Sequence, residues 1–261
     1  MFIIGERING MFRSVARAIR ERDTAAIADL ARRQVAAGAH ALDINTGPTG
    51  EDPADVMTWL VQTVQEATDV PLSIDSPKPA VAAAGLRACR GRTLINSTTG
   101  AQEKLDALLP LAQEFGAGLI ALTIDERGIP RNAAARAEIA LAIVARAMET
   151  GLPTDRLYLD PVVLPVNAAQ DQCREALAAM PTFRTLCEPP PHIIIGLSNV
   201  SQGTANRSLI NRTYLAMAMA AGCDAAILDP LDKDLMDVLR TASILLNQEI
   251  YCDSYLQSQP A

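Results

Sequence analysis

Aromatic side chains are scarce, at 3% of 261 residues. A groove that stacks sugars or single-stranded nucleic acid on aromatic faces has little to be built from here. Histidine occurs only as His40 and His192, neither in a metal-ligand spacing, so no metal site made by this chain is expected. The five cysteines, Cys89, Cys173, Cys187, Cys223 and Cys252, include no CxxC pair. Their odd number and wide spacing point to free thiols in a reducing compartment. There is no GxxxxGK[ST] phosphate loop, no GxSxG elbow and no nucleophile with a paired histidine. A formal charge of −7 argues against a nucleic-acid partner. No apolar run reaches membrane-spanning length. Phe2-Ile3-Ile4 is too short for a signal h-region, so the expected location is cytoplasmic.

What is present is apolar material, 49% of the chain, arranged as alternating strands and helices. Strands are expected at Phe2 to Gly5, Ala41 to Asn45, Leu72 to Asp75, Thr93 to Asn96, Gly118 to Leu122, Leu157 to Asp160, His192 to Leu197 and Ala225 to Leu228. Helices are expected at Thr24 to Ala37, capped by Asp23 and stopped by Gly38, and at Asp52 to Thr68 with Pro53 in its first turn. Others follow at Pro79 to Cys89, Glu103 to Phe115, Ala133 to Thr150, Ser208 to Ala221 and Asp232 to Leu246. The segment Gln170 to Cys187 reads as helix broken at Pro181. Eight strands and eight helices in alternation close most naturally into a single α/β barrel, the (β/α)8 TIM fold. The rival, an open doubly wound sheet, lacks a GxGxxG after any strand. With no linker or composition shift, residues 1–261 read as one domain, with Tyr251 to Ala261 a short polar extension.

In such a barrel the site lies at the carboxyl ends of the strands. Those ends carry Glu6-Arg7-Ile8-Asn9, Asp43-Ile44-Asn45, Asp75-Ser76, Asn96-Ser97-Thr98, Thr123 with Asp125, Asp160, Ser198-Asn199 and Asp229. Asp and Asn at strand ends often cap helices or make turns, and Asp229, Asp125 and Thr98 are read that way. Asp43 and Asn45 divide evenly between structure and function. Asp75, Asn96, Asp160 and Asn199 are read together as functional, because the topology converges them on one mouth and they mix carboxylates with amides. A carboxylate accepts paired N–H bonds from a guanidine-like edge, such as that of a 2-amino-4-oxo pteridine, and amides match the remaining edge without adding charge. The paired carboxylates of glycoside hydrolysis stay compatible with the sequence, though the poverty in aromatics counts against a sugar.

The run His192 to Arg207, HIIIGLSNVSQGTANR, is the densest in signal. A buried strand breaks at Gly196 into Ser198, Asn199, Ser201, Gln202, Asn206 and Arg207. A loop that only turned the chain would more often use Pro, Gly and Asp. Side chains that both donate and accept suit an uncharged heterocycle better than a phosphate or a metal.

With these residues in place the sequence resembles the pterin-binding barrel family, and within it the methyltetrahydrofolate:corrinoid iron-sulfur protein methyltransferases. The motifs run in order over essentially the whole chain: GERING (Gly5 to Gly10), LDINTGP (Leu42 to Pro48), SIDS (Ser73 to Ser76), INST (Ile95 to Thr98), LDPVVLP (Leu159 to Pro165), GLSNVSQ (Gly196 to Gln202), NRSLINRTYLAMAMAAG (Asn206 to Gly222) and ILLNQEIYCDSY (Ile244 to Tyr255). The resemblance implies that Asp75, Asn96 and Asp160 hold the pterin ring and that Asn199, the catalytic residue, reaches N5. Ser198, Gln202 and Arg207 would complete the loop around the folate, with Gly196 and Asn9 nearby. It implies 5-methyltetrahydrofolate as substrate and a corrinoid (cobalamin-type) cofactor supplied by a separate corrinoid iron-sulfur protein. It also implies a homodimer and a place in one-carbon metabolism such as acetyl-CoA synthesis. Two alternatives are a dihydropteroate synthase-like enzyme and the component of a demethylase system that methylates tetrahydrofolate. The first is disfavoured because Asn96 is followed by Ser97 rather than Asp, and because the seventh strand delivers no lysine. Cobalamin-dependent methionine synthases carry a similar module in a much longer chain.

Overall fold

A computed structural model describes residues 1–256. Eight parallel strands close into a barrel in sequence order: β1 (Phe2–Asn9), β2 (Ala41–Asn45), β3 (Leu72–Asp75), β4 (Thr93–Thr99), β5 (Gly118–Leu122), β6 (Leu157–Asp160), β7 (His192–Gly196) and β8 (Ala225–Leu228). The helices outside it are α1 (Arg13–Arg20), α2 (Thr24–Ala36), α3 (Pro53–Ala67), α4 (Pro79–Ala88), α5 (Gln102–Glu114), α6 (Ala133–Glu149), α7 (Gln170–Phe183), α8 (Arg207–Ala220) and α9 (Lys233–Leu245). The expected barrel is thus the observed one. No helix among the described residues is long and apolar enough to cross a membrane.

Five details differ from the sequence reading, one of them β4, read as Thr93 to Asn96, which runs on to Thr99 through an irregularity between Asn96 and Thr98. The strand read as Phe2 to Gly5 runs on to Asn9, through an irregularity between Gly5 and Ile8. A bulge lets one extra residue pass without ending the ladder. An unforeseen helix, α1, follows. It is only two turns long, has no side-chain cap, and buries just Val15, Ala18 and Ile19. Pro181 lies in the last turn of α7 and does not interrupt it. The strand read as His192 to Leu197 stops at Gly196, and a single 3-10 turn, Leu197–Asn199, takes over. Of the proposed C-terminal extension, residues 257–261 lie outside the described residues.

Local chemistry explains the regular parts. Asp23, Asp52, Asn132 and Asp232 each accept a backbone N–H in the first turn of the helix that follows, typically worth about 1 kcal/mol apiece. Inside the barrel, Ile4, Ala41, Leu94, Ile120, Ile194 and Ala225 form a small apolar layer, and the larger core lies between strands and helices. Side chains two apart on a strand share a face. Counting two on from that layer puts Glu6, Asp43, Asn96 and Gly196 on the inner face, one level nearer the carboxyl ends. At that end the loops after β1 and β2 press together. A Cβ on Gly10 would stand 2.2 Å from the Thr46 carbonyl oxygen, and one on Gly47, at φ +62°, 2.5 Å from Gly10. Only residues without a side chain permit this approach.

Candidate active site

The rim formed by β2, β3 and β4 carries a polar cluster. Asn45, Asp75 and Asn96 are register partners across the three strands. Asn45 Nδ2 donates to Asp75 Oδ2 at 2.6 Å, and Asn45 Oδ1 takes the Gly47 N–H at 2.7 Å. One level deeper, Asp43 Oδ1 accepts from Ser73 Oγ at 2.7 Å and from Asn96 Nδ2 at 3.0 Å. Asp43 is only 3% exposed. Burial first, then the negative charge of Asp75, pushes its carboxyl well above the usual range, against the hydrogen bonds from Asn96 and Ser73. Asp75 is raised by burial, while hydrogen bonds from Asn45 and Asp43 pull it back. Two carboxyls this close share one proton more easily than they carry two charges. Burial and the neighbouring charge favour the neutral acid more strongly at Asp43 than at Asp75.

Across the mouth, Asp160 ends β6 and is 6% exposed. Its Oδ1 accepts the Val162 N–H at 2.7 Å. Burial raises its carboxyl to about 6, offset in part by backbone hydrogen bonds from Val162 and Gly196 and by the charge of Arg136. Val162 is held at φ +65°, a conformation that costs a β-branched residue on the order of 1–3 kcal/mol. Beneath this loop Arg136 is fully buried. Its Nε donates to the Pro161 carbonyl at 2.7 Å and its Nη2 to Gln172 Oε1 at 3.2 Å, while its Nη1 has no partner among the described residues.

The third part of the rim is the turn after β7. Asn199 is exposed at its end. Its Nδ2 lies 3.0 Å from where a Cβ on Gly196 would stand, so the amide rests over Gly196, which itself approaches Asp160. Ser198 Oγ donates to Glu6 Oε1 at 2.7 Å. Arg207 donates to the Ser198 carbonyl at 3.2 Å and to Ser201 Oγ at 3.1 Å. Gln202 is exposed one turn of chain further on, its N–H on the Asn199 carbonyl. Asn9, a register partner of Asn45, spends its side-chain carbonyl on the Met11 N–H. Asp229 pairs with Arg7 at 3.1 Å and caps Leu231, the structural part read for it.

Asp75, Asn96, Asp160 and Asn199 therefore stand around one barrel mouth. Sequence reasoning left Asp43 undecided and did not single out Glu6 or Arg136. The period-two count from the interior layer would have put the first two on the inner face. Nothing in the sequence marks Arg136, a charged residue at the first turn of an amphipathic helix.

Comparison with known proteins gives the chain its relatives. The chain is 34% identical over 257 residues, 98% of its length and 94% of the other, to a methylcorrinoid:tetrahydrofolate methyltransferase of Eubacterium limosum. It is 30% identical over 239 residues to the methionine synthase of Mycobacterium tuberculosis, covering 87% of this chain but 20% of that one. Among solved structures, the dihydropteroate synthase of Thermus thermophilus superposes with a TM-score of 0.67 over 96% of this chain and 94% of that one, at 18% identity, a likeness of fold. The profile of the pterin-binding enzymes matches residues 5–229, and the chain belongs to that family.

Proposed function

We propose that this chain, as one pterin-binding barrel domain, transfers a methyl group between N5 of tetrahydrofolate and the cobalt of a corrinoid carried by another protein. The observation that carries the reading is the meeting of Asp75, Asn96, Asp160 and Asn199 at one mouth, in a chain aligned nearly end to end with a methylcorrinoid:tetrahydrofolate methyltransferase. Asp75 and Asp160 accept N–H groups of the pterin edge, and Asn96 matches the adjoining edge. Gly196, Ser198, Gln202 and Arg207 border the folate, with Asn9 beside them. Asn199 addresses N5.

The chemical difficulty is the leaving group. When the methyl passes to cobalt(I) without its bonding electrons, N5 keeps the pair and would depart as an amide anion. Protonation or strong hydrogen bonding at N5 removes that cost. The Asn199 amide donates to the N5 lone pair, and after protonation its carbonyl accepts from N5–H once the amide turns over. No nucleophile from this chain is required, so the cysteines have no chemical part. The test is stopped-flow mixing of the protein and 5-methyltetrahydrofolate with a cobalt(I) corrinoid protein. The expected result is catalysed loss of the cobalt(I) absorbance. Tight folate binding with no transfer to any corrinoid protein would instead make the chain a binding subunit.

We take the partner to be a corrinoid iron-sulfur protein in the cytoplasm, serving acetyl-CoA synthesis. A second reading, methylation of tetrahydrofolate in a demethylase system, is favoured by the direction in which the Eubacterium limosum relative is named. Both use the same site in opposite senses. We also propose a homodimer. A groove of about 470 Å³ between α7 and α8 is lined by Val166, Leu177, Leu209, Ile210, Tyr214 and Met217, and Leu209 and Met217 are 54% and 51% exposed. Sedimentation at micromolar concentration is expected to show a dimer, with Met217→Glu shifting it to monomer. A wild-type monomer would remove this proposal.

A further inference from the structure

The turn bearing Asn199 is held from two sides. Arg207 binds the Ser198 carbonyl from α8. Glu6 binds the Ser198 hydroxyl from β1, across 192 residues of sequence. Glu6 is on the inner face, two residues beyond Ile4. Its neighbours leave it little else to do, because Arg7 is paired with Asp229 and lies 4.3 Å over the Phe12 ring. The Arg207 side chain, the other nearby cation, is committed to Ser198 and Ser201. A half-buried carboxylate with one good hydrogen bond fixes the group that makes it. That group is the hydroxyl of the residue immediately before Asn199. A 3-10 turn of three residues has few hydrogen bonds of its own to hold its position, so its registration comes from these outside contacts.

We propose that Glu6 is a positioning residue for methyl transfer: through Ser198 it fixes the turn that presents Asn199 to N5. This rests on the reading of Asn199 given above. A displacement of about 1 Å at a reacting group can cost on the order of 100-fold in rate, so a loosened turn lowers turnover while the ring stays bound by the opposite rim.

The experiment measures single-turnover methyl transfer and folate Kd for Glu6→Ala, Glu6→Gln, Ser198→Ala, Asn199→Ala and the Glu6→Ala/Asn199→Ala double variant. Glu6→Ala and Ser198→Ala are expected to slow transfer about tenfold with Kd within about threefold. Glu6→Gln keeps an oxygen for the Ser198 hydroxyl and is expected to restore most of the rate. The double variant is expected to be no slower than Asn199→Ala, because a residue acting only through Asn199 has nothing further to lose. Should Glu6→Ala fold poorly, Ser198→Ala removes the same bond from the more exposed end. Wild-type rates in both variants overturn the proposal. So does a Gln variant as slow as the Ala variant, or a double variant whose loss is the full product of the single losses. An Asn199→Ala protein with an unchanged rate would instead overturn the reading of Asn199 itself.

Discussion

Replacing Asn199 with alanine is expected to slow methyl transfer by about 100-fold, the usual cost of losing one preorganised donor at a developing charge. Folate affinity should change little. The side chain is exposed at the mouth and rests over Gly196, while the buried carboxylates that would hold the ring lie on other strands. Asp229→Ala is the control. Its carboxylate is occupied by Arg7 and by the Leu231 N–H, and the expected change in rate is within about threefold. Stopped-flow methylation of a corrinoid protein checks both, and equal rates for the two variants would take Asn199 out of the chemistry.

The second large effect belongs to Asp160. Its carboxyl is raised to about 6 by burial, against about 3.9 in an unfolded chain. The folded protein thus prefers the neutral acid. This gives a stability contribution fully present below about pH 4 and lost as pH rises through about 6, on the order of 3 kcal/mol. A ligand that donates N–H groups to the carboxylate offsets that penalty. Folate affinity is therefore expected to weaken about tenfold per pH unit below 6. Asp160→Ala is expected to weaken binding by about 10- to 100-fold at neutral pH, as for a hydrogen bond to a charged group. Titration calorimetry from pH 5 to 8 reads both effects. A wild-type pH profile that Asp160→Asn does not flatten would show that this carboxylate is not what the ligand binds.

How much of this was legible depends on the kind of signal. The strands are short apolar runs with polar ends, and nearly all fall where pattern alone puts them, as does the cap at Asp23. Helix α1 was missed because RSVARAIR buries three small or medium side chains and lacks a capping residue. The site was legible at strand ends and obscure one step inside. Asp43 lies within its strand, and its importance comes from Ser73 and Asn96, residues distant in sequence. Glu6 stood among the strand-end residues, but its partner Ser198 lies 192 residues away, so its part appears only in the closed barrel. Arg136 acts from a helix on the carbonyl of Pro161, a contact that exists only once the barrel has closed.

The buried acids and their amides sit on β2 through β6, whereas the Asn199 turn hangs from β7 and is fastened by Glu6 and Arg207. The two arcs meet at Asp160, which accepts the Gly196 N–H beneath the Asn199 amide, and at the Val166 N–H on the Val200 carbonyl, yet each is fastened by its own set of side chains. A descendant that rebuilt only the short arc would inherit its parent's appetite for the same heterocycle and acquire a different fate for it.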